Sequence, residues 1–186
     1  MTAYGHPSTL PVHEDAACAP VSFYGITKWA AERAVIISAQ QPGTDLRAVA
    51  FRMFNVYGPR QSLTNPYQGV FGIFLGNVLR GEPIRIFGDG EQSRDFVYVG
   101  DVARAWAMAL HAPPSDPVAL NLGTNTKTSI NQLWRHAVRA AGQDPGSWPG
   151  SYEHGRPGDQ RHMRADIARA EQEEARRRQQ IDRAAF

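Results

Sequence analysis

Apolar runs too short for a helix alternate along this chain with longer stretches of helical period, and that alternation decides the class of fold. "LRAVAFRMF" (46–54), "PIRIFG" (83–88), "RDFVYV" (94–99) and "VALNLG" (118–123) are bounded by turn signals and read as strands. Helical period runs from Tyr24 to about Gln40, with Ala30, Ala31, Ala34, Val35 and Ile36 as its apolar positions. It returns over 67–80, 101–112 and 130–141. Asp101 is a candidate cap for the third helix, which Pro113 and Pro114 stop. Ser129 and Gln132 form a capping-box pattern ahead of the fourth. Strand 46–54 follows a helix, so it is expected to be parallel and buried. "NVYGPRQSLTNP" (55–66) and the Gly/Pro-rich 142–159 read as loops, and a charged helix is expected from about Ala165. The fold class implied is α/β.

Composition excludes several functions. The net charge of +2 comes from scattered arginines and makes no nucleic-acid stripe. Cys18 is the only cysteine, so no internal disulfide forms, which fits a reducing cytoplasm. The six histidines lack metal-ligand spacing, and no metal site is expected. No apolar run is long enough to span a bilayer, and no signal-peptide pattern opens the chain.

Within "SFYGITKWAAER" (22–33), Tyr24 and Lys28 stand at i and i+4 and share a helix face. An ammonium beside a phenol favours the phenolate, and such a phenol acts as general base toward a hydroxyl. The spacing alone is weak, because Tyr-x-x-x-Lys occurs by chance in many helices.

The surrounding motifs sharpen it. Tyr4-Gly5, Pro11 with Glu14, Tyr24-Gly25, Lys28 and Glu32 are followed in order by "FRMFNVYGPRQ", "IFGDGEQSRDFVYVGDVARA", "NLGT" and "RPGDQRHMRADIARA". Together they resemble the extended short-chain dehydrogenase/reductase family, within it the NAD-dependent nucleotide-sugar epimerases and dehydratases. The resemblance implies an incomplete Rossmann-type doubly wound parallel sheet with a smaller α/β substrate-binding lobe. It divides the chain into 1–66 (the later Rossmann elements with the Tyr-x-x-x-Lys helix), 67–164 (mainly the substrate lobe) and 165–186 (a charged helix).

The resemblance also implies roles. Tyr24 is the catalytic base and Lys28 its partner, and both touch NAD; Met53 and Phe54 lie beside the nicotinamide. Asn55 and Arg94 bind the diphosphate, Arg85, Ile86 and Phe87 line the base, and Arg156 and Asp159 close over ribose and diphosphate. An arginine fork suits paired phosphates. Residue for residue, bland readings stand beside these: a turn asparagine for Asn55, ordinary core for Met53, Ile86 and Phe87, and scaffold for Asp95 and Asp101. The tyrosine-bearing helix also implies a homodimer.

Two family features have no counterpart among these residues. The catalytic Ser or Thr four residues before Tyr4 falls ahead of Met1, and Thr2 stands two positions off, roughly 6–7 Å along an extended segment. A strand with a glycine-rich turn for pyrophosphate is also lacking. Gly69, Gly72 and Gly76 have no apolar strand before them and read as small residues packing a helix; "GDGEQS" sits between strands. The expectation is therefore part of a UDP- or dTDP-hexose epimerase or dehydratase, inactive by itself. The alternatives are a non-catalytic remnant that binds a nucleotide sugar or pairs with a relative, and a reductase of a non-nucleotide ketone, which leaves the diphosphate arginine without a task.

Overall fold

Ser22 sets the start of the first long helix. It is extended, and its Oγ accepts from the Gly25 N–H at 3.0 Å, satisfying one of the first-turn donors. Helix α1 (Phe23–Ala39) follows in this computed structural model, which describes residues 1–65, 69–155 and 159–175. After it come β1 (Val49–Met53), β2 (Asn55–Tyr57), α2 (Val70–Leu79), β3 (Ile84–Phe87), β4 (Ser93–Arg94) and β5 (Phe96–Tyr98). Then α3 (Val99–His111), β6 (Val118–Leu122), β7 (Thr128–Ser129), α4 (Ile130–Ala140) and β8 (Gly150–Glu153) complete the named elements, with residues 168–175 also helical.

Three ladders are parallel, as a chain that returns through helices requires. β1 pairs with β6, β2 with β5, and β3 with β8; among the described residues only the short β4–β7 ladder is antiparallel. Mixed α/β layers with parallel strands match the expected class. The core of one part lies between α2, α4 and β3, where Phe74, Val78, Ile84, Ile86, Leu133 and Val138 pack. Strand alternation puts Ile84 and Ile86 inside and Arg85 outside, and each buried isoleucine contributes about 1.5–3 kcal/mol. A second cluster joins Tyr4, Val12, Phe54, Met163 and Ala165, distant in sequence.

Several expectations need correction. Helix α3 begins at Val99, so Asp101 is not its cap but lies in the first turn, where it favours the positive helix end and pairs with Arg104 at 2.6 Å. "RDFVYV" is not one strand: Asp95 interrupts it, and β4 and β5 pair with different partners. β2 and β8 arise inside stretches read as loops. β1 is only half-buried, and of α1's apolar positions only Ile36 is buried, with Gly25. Phe23, Tyr24, Ile26, Val35 and Ile37 are exposed, Phe23 at 89%. The C-terminal helix starts at 168, because Ala165 is extended in a parallel bridge with Val12.

The Ser129–Gln132 capping box forms in both directions. The small-residue reading of α2 holds as well: a Cβ on Gly76 would stand 2.4 Å from the Leu63 carbonyl oxygen, so the preceding loop lies directly on the helix. Among the described residues no helix is long and apolar enough to cross a membrane.

Candidate active site

Helix α1 carries Tyr24 and Lys28 on one exposed face, the Lys28 ammonium 5.3 Å from the centre of the Tyr24 ring. Tyr24 is 61% exposed, so the pair is open to a ligand. At the carboxyl end of β1, Met53 is exposed and Phe54 is buried in the second core cluster. The two expected nicotinamide neighbours therefore part company: Met53 faces outward, and the Phe54 side chain is held inside by strand alternation.

Asn55 opens β2, and its backbone N–H donates to the Asp95 carbonyl at 2.9 Å. That bond ties Asn55 to the segment that carries Arg94, one residue before Asp95. The Asn55 Oδ1 is buried without a hydrogen-bond partner. A buried amide oxygen is costly to leave unpaired, and water or a ligand group can satisfy it. The Arg94 side chain is 11% exposed; it donates to the Ser93 carbonyl at 2.9 Å and to Asp159 Oδ1 at 2.6 Å. Burial pulls the guanidinium below its usual range, and Asp159 opposes that pull.

Asp95 is fully buried and serves as the scaffold of this corner. Its Oδ1 accepts from the Thr124 N–H at 2.7 Å and hydroxyl at 2.8 Å, and its Oδ2 from the Ala165 N–H at 3.0 Å. One carboxylate thus ties β4–β5 to the turn after β6 and to the C-terminal segment.

The remaining expected site residues lie apart in character. Arg85 is exposed on β3, 3.9 Å from Glu153 of β8. Ile86 is fully buried in the first core, so its side chain is closed to a base. Phe87 is half-buried, Asp159 is exposed beside Arg94, and Arg156 lies outside the described residues. Among the described residues, no three metal-ligating side chains converge.

Sequence reasoning missed a buried polar network around Arg52. Its guanidinium donates to both Glu32 oxygens at 2.8 and 2.6 Å, to the Tyr4 hydroxyl at 2.9 Å and to the Glu14 carbonyl at 2.8 Å. The Tyr4 hydroxyl donates to Asn121 Oδ1 at 2.6 Å, and the Asn121 N–H donates to Glu14 Oε1 at 2.7 Å. Burial works against the Arg52 charge, but the bonds from Glu32 and Tyr4 outweigh it and raise its pKa. Burial pushes the Tyr4 phenol up to about 12. The signal was present in the sequence: an arginine within "AVAFRMF" and an asparagine within "VALNLG" are polar groups in strands, and such groups must be paired.

The sequence profile of the NAD dependent epimerase/dehydratase family matches residues 1–123. The chain is 36% identical over 171 residues to a putative UDP-glucose 4-epimerase of Methanocaldococcus jannaschii, covering 90% of this chain and 52% of that protein. It superposes with a TM-score of 0.82 on the UDP-glucose 4-epimerase of Thermotoga maritima solved with UDP-glucose, at 37% identity, over 92% of this chain and 53% of that one. The UDP-glucose 4-epimerase of Thermus thermophilus, in complex with NAD, gives a TM-score of 0.78 at 32% identity, over 92% and 54% of the two chains. The chain spans about half the length of the relatives it matches.

Proposed function

The chain belongs to the NAD dependent epimerase/dehydratase family, and from that premise we propose that it supplies the catalytic helix and the substrate lobe of a nucleotide-sugar epimerase acting on a UDP- or dTDP-hexose. The observation that carries the reading is the corner where the Asn55–Asp95 backbone bond brings together the segment of the largely buried Arg94 guanidinium and that of Asn55, whose buried Oδ1 lacks a protein partner. A fork and an amide, fixed by the Asn55–Asp95 backbone bond, suit a diphosphate with an adjoining hydroxyl. Residues 1–66 and 67–164 then divide the work, the first orienting the reacting sugar and the second gripping its nucleotide.

The exposed Tyr24 and Lys28 fit the ribose–nicotinamide end of NAD, with Met53 open beside them. NAD, when bound, supplies the acceptor for the two electrons that the sugar loses. Tyr24 takes the proton of the sugar hydroxyl through its phenol oxygen. Lys28 donates a hydrogen bond to the ribose. In an epimerase the sugar is then reduced again on its other face, and Tyr24 returns the proton.

Calorimetry with UDP tests the reading on the chain as it stands. Arg94→Ala removes a charge-assisted contact worth about 1.5–3 kcal/mol, so the Kd for UDP should rise about 10- to 150-fold. An unchanged affinity would assign Arg94 to Asp159 alone and withdraw the diphosphate site.

A further inference from the structure

Helix α1 bears the reacting pair yet is thinly attached. It buries only Gly25 and Ile36, and its outer apolar side chains are exposed. At Gly25 the backbone of the opening turn lies so close that a Cβ would stand 2.7 Å from the Thr2 carbonyl oxygen. The remaining hold is Glu32, one turn beyond Lys28, whose carboxylate takes the Arg52 fork with both side chains less than 10% exposed. Arg52 is itself fixed from two other directions, by the Tyr4 hydroxyl and by the Glu14 carbonyl.

We infer that the Glu32–Arg52 pair is the positioning device of the active site: it sets the rotation of α1 on β1 and thereby the place of Tyr24 and Lys28. The inference rests on Tyr24 and Lys28 being the reacting pair. Glu32 lies eight residues from Tyr24, roughly 12 Å along the helix axis. A tyrosine oxygen lies roughly 9 Å from that axis, so a 10° turn of the helix shifts it by roughly 1.5 Å, and 1 Å of misplacement is enough to cost about 100-fold in rate. The fork suits the task because two parallel hydrogen bonds fix an angle, whereas one bond fixes only a distance. Its other bonds matter equally. They fasten Arg52 to the segment around Tyr4, so α1, β1 and that segment are locked as one unit.

The test uses Glu32→Gln, which keeps the shape and removes the charge, and Arg52→Lys, which keeps the charge and removes the fork. Peptide-resolved hydrogen exchange on the full chain should show residues 23–36 exchanging about tenfold faster in Glu32→Gln and at least threefold faster in Arg52→Lys. Peptides from α2, β3 and α4 should be unchanged. Unchanged exchange in α1, or acceleration of all peptides together, would overturn the inference. The same variants are then assayed beside Tyr24→Phe, with the chain joined to the cofactor-binding half of a relative. Glu32→Gln should lower kcat about 10- to 100-fold with KM within twofold. If Tyr24→Phe retains full turnover, the reacting pair itself is wrong. If Tyr24→Phe is dead while both pair variants keep wild-type kcat, the pair stands and the positioning role falls.

Discussion

Replacing Asp95 with asparagine changes one atom in a fully buried side chain, at a cost that the surrounding donors determine. The carboxylate accepts three hydrogen bonds, two on Oδ1 from Thr124 and one on Oδ2 from the Ala165 N–H. An amide has one acceptor end. Whichever way it is turned, its NH2 group faces a backbone N–H, of Ala165 or of Thr124, and that donor is stranded. The Thr124 hydroxyl can rotate to accept, but a backbone N–H cannot. Gly123 packs against Oδ2, where even a Cβ would stand only 2.9 Å away, so there is little room to relax. Losing one charge-assisted bond and burying an unpaired donor, offset by the easier burial of a neutral group, leaves a net cost of about 2–4 kcal/mol. Urea unfolding should show the midpoint falling by roughly 1–2 M with an unchanged slope. UDP affinity of the folded variant should stay within about threefold, because Arg94 and the Asn55–Asp95 backbone bond remain. A midpoint shift below roughly 0.3 M would refute the claim that these acceptors hold the corner together.

Two further outcomes depend on pH. The Arg161 fork, helped by the Glu91 N–H, depresses the Asp89 carboxyl to about 2. Its stabilising contribution is present above the ordinary carboxylate value and is lost as pH falls from about 4 toward 2; a carbon NMR titration of Asp89 with a midpoint near 3.8 would contradict this. The Tyr4 phenol, raised to about 12, contributes stability that is complete below about pH 10 and lost as pH rises through 12. Tyr4→Phe should cost about 1–3 kcal/mol at neutral pH and flatten the alkaline decline, so identical denaturation midpoints for the two proteins from pH 8 to 11 would sink it.

Legibility in the sequence tracked physical range. Ser129 and Gln132 signal a helix start through bonds within four residues, and they formed as read. The alternation Ile84–Arg85–Ile86 reports its own burial by period. β8 escaped notice because Gly150–Glu153 has no apolar pattern and exists only through its pairing with β3. The break at Asp95 was equally hidden, since it depends on Thr124 and Ala165, which lie far along the chain. At the site, the shared helix face of Tyr24 and Lys28 was legible from their spacing. The partnership of Arg94 with Asp159, the inward turn of Phe54 and Ile86, and the role of Arg52 all needed the packing of distant segments.

The bridge between Val12 and Ala165 has a bearing on how this polypeptide is made. Val12 N–H donates to the Arg164 carbonyl, Asp166 N–H donates to the Val12 carbonyl, and Asn121 reaches both carbonyls of Val12 and Asp166. On a ribosome adding about 5–20 residues per second, the segment around Val12 waits roughly 8–30 s before the strand that covers it has been synthesised. Until then the side chains of Tyr4 and Val12 have no native partners at 163–165, and the aromatic surface of α1 emerges early beside them. The lobe built from α2, β3 and α4 meets its partners far sooner. The lobe of α2, β3 and α4 thus completes its contacts while the stretch from Tyr4 through α1 still waits for residues 163–165.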